Sequence, residues 1–112
     1  MSQYFEKSSH VIGLGLTKAL NDALDQVLPN FTAAASVGPE TPTWTEACVL
    51  VGADAFDPEA VTRTQAARAH FAQAGLVALI AITSFAPGSY RDFIRLNGAD
   101  DCILESDVLD TL

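Results

Sequence analysis

Short apolar runs alternate along this chain with longer stretches in which apolar residues return at helical spacing. Residues 10–16, His-Val-Ile-Gly-Leu-Gly-Leu, read as a buried strand. Residues 17–28 place Ala19, Leu20, Ala23, Leu24, Val27 and Leu28 on one side and Asp22 and Asp25 on the other. That spacing predicts an amphipathic helix, stopped by Pro29. Residues 31–37 predict a second strand, weakened by its run of alanines. Residues 38–43, with two prolines and a glycine, predict a loop.

Trp44 leads into a third strand over 47–51. Asp57-Pro58-Glu59 predicts a helix start, with an N-cap, a proline at the first helical position and an acid in the first turn. This helix is expected to run to about Gln73 and end at Gly75, turning Val61, Thr64, Ala67, Phe71 and Ala74 inward. Residues 76–83 are apolar throughout, between Gly75 and Pro87, as a strand covered on both faces requires. Ser89 and Asp92 resemble a capping box opening a short helix over 90–96, which ends at Asn97-Gly98. Residues 102–104 predict a fifth strand, and 106–112 a last helix of about two turns.

Alternating strands and helices predict one α/β domain over residues 1–112, with a parallel sheet and helices on both faces. One connection does not conform. Strands 2 and 3, as read here, are about nine residues apart, whereas a parallel crossover needs a dozen or more. A helix is expected to be reduced or absent there, leaving one sheet face thinly covered and Trp44 to fill part of the gap.

Charge narrows the possible partners. Fourteen acids against six bases give a net charge of −8, which opposes non-specific nucleic-acid binding. The apolar runs are far short of the roughly 20 residues that span a bilayer. The first residues lack the basic start and apolar stretch of a signal peptide. The chain reads as cytosolic, with no membrane partner.

Thr83 at the end of strand 4, followed by Gly98-Ala99-Asp100-Asp101 before strand 5, resembles the C-terminal half of a receiver domain of bacterial two-component response regulators. The resemblance covers nearly the whole chain in element order, and its motifs lie within 83–105. It implies a flavodoxin-like three-layer sandwich with a five-stranded parallel sheet in the order 2-1-3-4-5, helix 2 reduced or absent and helix 5 short. That order puts Cys48 and Cys102 on strands 3 and 5, about 9–10 Å apart at ~4.8 Å per strand. This is too far for a disulfide, so two buried free thiols are expected.

The family's phosphoryl chemistry needs a strand-1 acid pair, an acceptor aspartate, a lysine and a hydroxyl. Here the acid-pair positions fall on residues 13–16, which carry no acid. The acceptor position falls on Gly52, with Asp54 two residues on. Glu105 stands where the family has lysine, and only Thr83 matches. Gly52, Asp54, Thr83 and Glu105 are therefore expected to form a degenerate phosphorylation pocket, without catalysis, metal or cofactor. A residual phosphoacceptor role for Asp54 is the minor reading beside a turn or capping role.

Other motifs are weak. Gly13-x-Gly15 lacks the third glycine of a dinucleotide fingerprint, since Lys18 stands there, and strand 2 ends without the ribose-binding acid. His10 and His70 have no partners at metal-ligand spacing. The bases are unevenly placed: Arg63, Arg68, Arg91 and Arg95 account for four of six. Solvated helix faces explain them most simply.

The resemblance also implies a docking face on helix 4 and strand 5, here Tyr90, Arg91, Ile94, Arg95, Asp101 and Glu105. Its partner would be a histidine kinase or a neighbouring domain of the same polypeptide, as in hybrid histidine kinases. The expected function is a non-phosphorylatable receiver-like module acting through protein contacts. The alternative is a sensor of a cyclic dinucleotide such as cyclic di-GMP, with the four arginines as ligands for its phosphates and guanines.

Overall fold

The computed structural model describes residues 2–85 and 88–112. Pro87, expected to bound the fourth strand, lies outside the described residues. The elements run α1 (Ser2–Lys7), β1 (His10–Leu14), α2 (Lys18–Val27), β2 (Phe31–Ala34), β3 (Ala47–Gly52), α3 (Ala60–His70), β4 (Ala78–Thr83), α4 (Gly88–Leu96), β5 (Asp101–Leu104) and α5 (Glu105–Thr111). All strand pairs are parallel, in the order β2-β1-β3-β4-β5. This is the flavodoxin-like arrangement that the sequence predicts. None of the described helices is long and apolar enough to cross a membrane.

Two cores sandwich the sheet. Ile12, Leu14, Val49, Val51, Leu79, Ala81 and Cys102 face α3 and α4, from which Ala60, Ala67 and Ile94 pack down, joined by Phe71 from the turn after α3. Val11, Cys48, Leu50, Ile80 and Ile82 face the other way, against Leu20 and Leu24 of α2 and Val108 of α5. Both faces of β3 and β4 are covered, which is why these strands read as unbroken apolar runs. The thiols are free and buried, and the alternation of the strands places them in opposite cores. Burial pushes the Cys48 thiol up to about 12.

Several element boundaries differ from the sequence reading. α1 went unread because residues 2–7 carry no periodic apolar stripe; it is held by Tyr4 and Phe5 against the second core. β2 stops at Ala34. α3 begins at Ala60, because the Asp57 carboxylate accepts from the Glu59 N–H (2.9 Å) and turns the chain before the helix. It ends at His70, and Phe71 and Ala74 remain buried in the following turns. Val61 is only partly buried, and Ala60 takes the deeper place. α4 begins at Gly88, so Ser89 lies inside its first turn and not at the N-cap. On α2, Val27 and Ala19 are exposed; burial concentrates on Leu20 and Leu24.

The connection over residues 35–46 contains no helix. Only Val37 and Trp44 from this segment pack onto the core beneath it. Trp44 stacks on His10 with ring centroids 5.1 Å apart, and the His70 ring donates from Nε2 to the Thr41 carbonyl at 2.9 Å. The segment is thus pinned to β1 and to the end of α3 by side chains in place of a packed helix.

Phe71 is the largest fully buried side chain. Phe71→Ala is expected to cost roughly 3–5 kcal/mol, read as a lower urea midpoint with unchanged slope. Neither cysteine should react with a thiol reagent in the folded protein at neutral pH, and both should react once urea unfolds it.

Candidate functional site

The strand order reverses between β1 and β3, and in open parallel sheets the crevice beyond the carboxyl ends of the strands at that reversal is the usual ligand site. Here that mouth is lined by Gly15, Thr17, Asp54, Asp57, Thr83, Ser84 and Glu105, among others. Its cavity is about 100 Å³, whereas small-molecule pockets run to about 300–1,000 Å³. It has room for a few waters and none for a nucleotide.

The β1–α2 loop fills what would otherwise be open space. Gly15 adopts a left-handed φ of 64°, which a side chain resists. Its backbone lies against the end of β3: a Cβ built on Gly52 would stand 2.8 Å from the Gly15 carbonyl carbon and closer still to its oxygen. On its other side, a Cβ on Gly15 would meet Arg63 Nε at 2.6 Å. The Gly13-x-Gly15 pattern therefore serves close packing of the loop. Gly52, at the end of β3, has no room for a side chain beside the Gly15 backbone.

Arg63 anchors this arrangement. Its Nη1 donates to the Gly52 carbonyl at 2.6 Å and to Asp57 Oδ2 at 2.8 Å, and Nη2 lies 3.6 Å from Glu59. Its side chain is only 13% exposed, so it acts as a strut inside the mouth. The Arg63 hydrogen bond, with help from the Glu59 N–H, holds the Asp57 carboxyl below its usual range. The sequence hints at this strut only through the spacing of Glu59 and Arg63.

Asp54 and Thr83 are brought together. The Thr83 hydroxyl donates to Asp54 Oδ1 at 2.9 Å, and the same oxygen accepts from the Ser84 N–H at 2.6 Å and the Ser84 hydroxyl at 2.7 Å. Three donors on one carboxylate oxygen form a latch between the β3–α3 and β4–α4 loops. They hold Asp54 below its ordinary pKa, with the Ser84 N–H the largest cause. Sequence reasoning passed over Ser84, which acquires its role only from the approach of the two loops. From the far side, the Tyr90 hydroxyl donates to the Ala53 carbonyl, tying α4 to the same loop.

Glu105 also turns inward. The Thr17 hydroxyl donates to its carboxylate while accepting from the Leu20 N–H at 3.2 Å. Glu105 thus joins the start of α5 to the N-cap of α2. Asp54, Thr83 and Glu105 line the same mouth as Gly52, and each polar side chain is engaged within the protein.

The docking residues divide differently. Ile94 is fully buried in the core, and Tyr90 is half-buried and turned toward Ala53. Neither presents a free apolar surface, because α4 needs both to seal itself to the sheet. The exposed apolar groups there are Phe93, Leu96 (88% exposed) and the nearby Phe85. Phe56, on the β3–α3 loop, is 93% exposed.

The arginines do not converge on one site. Arg68 donates to the Gly98 carbonyl and pairs with Asp100 at 2.9 Å, and Arg95 pairs with Asp101 at 2.9 Å. Arg91 is partly buried, and its Nε has no hydrogen-bond partner. The Gly98-Ala99-Asp100-Asp101 turn is itself structural. Gly98 takes φ 118°, Asp100 accepts from the Leu79 N–H at 2.7 Å, and Asp101 accepts from the Cys102 N–H at 2.8 Å.

Among the described residues no cluster of histidine, cysteine and carboxylate side chains is placed to hold a metal ion. No family model matches the chain, and neither a curated protein nor a solved structure gives a match.

Gly52→Ala should destabilise the fold by about 1–3 kcal/mol, measured by urea unfolding, because the Gly15 loop must move. Asp54→Ala should speed hydrogen exchange at the Ser84 amide while leaving Ile80, inside β4, protected. The wild type should show a related pH dependence. The folded pKa of Asp54 is depressed, so the unfolded carboxyl takes up its proton first as pH falls. The contribution of the latch is full above about pH 4 and is lost as the pH drops through the folded value. Ser84 protection should fall over that acid range in the wild type and be flat in the variant.

Proposed function

We propose that this protein is a receiver-like signalling module that does no phosphoryl transfer and acts through protein contacts. One observation carries the reading: the acceptor position, Gly52, is closed by the Gly15 backbone. The hydroxyls that would meet a phosphoryl group are already donated to Asp54. In the family this chain resembles, the strand-4 hydroxyl reads phosphorylation. Here a carboxylate of the neighbouring loop occupies it, which favours a single, unswitched arrangement of the mouth and α4. The partner would be a histidine kinase or an adjoining domain, met at the surface of α4 and β5.

On that surface the apolar contacts would come from Phe85, Phe93 and Leu96, with the Arg95–Asp101 pair at the rim. Exposed aromatics beside an arginine suit an interface anchor. The cyclic dinucleotide reading gains less support, because Arg63, Arg68 and Arg95 are already paired with acids.

Incubation with acetyl phosphate and Mg²⁺ should leave the intact mass unchanged, and beryllofluoride with Mg²⁺ should leave the amide signals of Gly52, Asp54 and Thr83 in place. A phosphoryl adduct would overturn the proposal. Phe93→Asp and Leu96→Asp should abolish capture of a histidine kinase while leaving the circular dichroism spectrum intact. Undiminished capture by both variants would remove α4 from the interface.

A further inference from the structure

Strand β2 forms one edge of the sheet, and its outer side is bare. It pairs with β1 in the register Val11↔Phe31 to Leu14↔Ala34. The Val11 N–H donates to the Asn30 carbonyl and the Gly15 N–H to the Ala34 carbonyl. In a parallel ladder, backbone groups of alternate residues point to opposite sides. Asn30, Thr32 and Ala34 therefore serve β1, while the Phe31 carbonyl and both backbone groups of Ala33 point away from the sheet. The Ala35 N–H, trans to the Ala34 carbonyl, also points away, at the bend where the strand ends. No element of the described residues pairs with this side.

Exposed edges are usually guarded by a charge, a proline, a bulge or a covering element. None guards this one. Residues 32–35 are exposed, and the sequence there is Thr-Ala-Ala-Ala. The connection that follows contains no helix to lie over the edge. Residues 26–39 contain no Asp, Glu, Lys, Arg or His, in a chain of net charge −8.

We infer that β2 is a self-association edge, at which two copies of this chain pair their β2 strands antiparallel about a two-fold axis at Ala33. The outward groups are self-complementary about that residue. The two Ala33 residues exchange both N–H···O=C bonds, and each Phe31 carbonyl accepts from the Ala35 N–H of the other copy. Thr32 then faces Ala34, and the small side chains allow close approach. The absence of charge selects the occupant. Two chains of net charge −8 repel over most of their surfaces, and residues 26–39 are a stretch where they meet without opposing like charges. A strongly charged partner strand would find no ion pair there. The product is a continuous ten-strand sheet, with the β2 of each copy at its centre.

The full chain is examined by sedimentation equilibrium over a concentration series extending into the millimolar range. The wild type is expected to show a monomer–dimer equilibrium. Ala33→Pro removes one outward N–H per copy, and proline is tolerated on an edge strand where the N–H faces solvent. It should weaken the dimer on the order of thirtyfold, at about 1 kcal/mol for each lost bond. Ala33→Lys and Ala33→Glu each place like charges directly across the axis, so each alone should be monomeric, and an equimolar mixture should form a mixed dimer. Circular dichroism confirms that each variant is folded. A wild type that stays monomeric throughout, an Ala33→Pro protein that dimerises undiminished, or a Lys/Glu mixture that stays monomeric would each overturn the inference. A dimer lost in Phe93→Asp and kept in Ala33→Pro would place self-association on α4 instead.

Discussion

The end of β3 and the loop after β1 meet where Gly15 lies against Gly52, and the arrangement of the mouth depends on that approach. Two glycines without side chains let the loop settle into the crevice. Arg63 then closes over it, donating to the Gly52 carbonyl and pairing with Asp57. A charge this far from water is tolerated because its partner and a carbonyl satisfy it. The crevice that the strand order creates is thereby filled by the protein's own backbone and one guanidinium. The remaining polar groups, Asp54, Thr83, Ser84, Thr17 and Glu105, are consumed in bonds between loops.

These bonds join parts of the fold that are distant in sequence. Asp54 ties the β3–α3 loop to the end of β4, Tyr90 ties α4 to the same loop, and Glu105 ties α5 to α2. A carboxylate that accepts from three donors favours one loop geometry over others. The Tyr90 hydroxyl extends this network to α4. The Thr83 and Ser84 hydroxyls are both engaged by that carboxylate.

The opposite side of the sheet shows the same economy by omission. Without a helix between β2 and β3, the edge strand has no strand partner on its outer side among the described residues, and from the connecting segment only Val37 and Trp44 pack onto the core beneath. Trp44 is held by stacking on His10, and the segment before it by His70 at the Thr41 carbonyl. Shortening one crossover thus both thins the cover and exposes an edge.

Much of the architecture was legible in the sequence, because burial on both faces imposes apolar runs on β1, β3 and β4 and amphipathic spacing on α2. The missing helix was legible too, from two prolines and too few residues. The residues that line the mouth were legible by identity: no acid at 13–16, glycine at 52 and glutamate at 105. The sequence could not show α1, whose few apolar residues acquire meaning only against the second core. Nor could it show that Ile94 and Tyr90 face inward while Phe93 and Leu96 face out, since adjacent positions on a short helix are sorted by the sheet they meet. The same holds for the mouth. Hydrophobic patterning is a local property and is written in the chain. The contact of Gly15 with Gly52, the strut of Arg63 and the latch of Ser84 on Asp54 join residues that are far apart in sequence, and only the parallel pairing of the strands brings them within bonding distance.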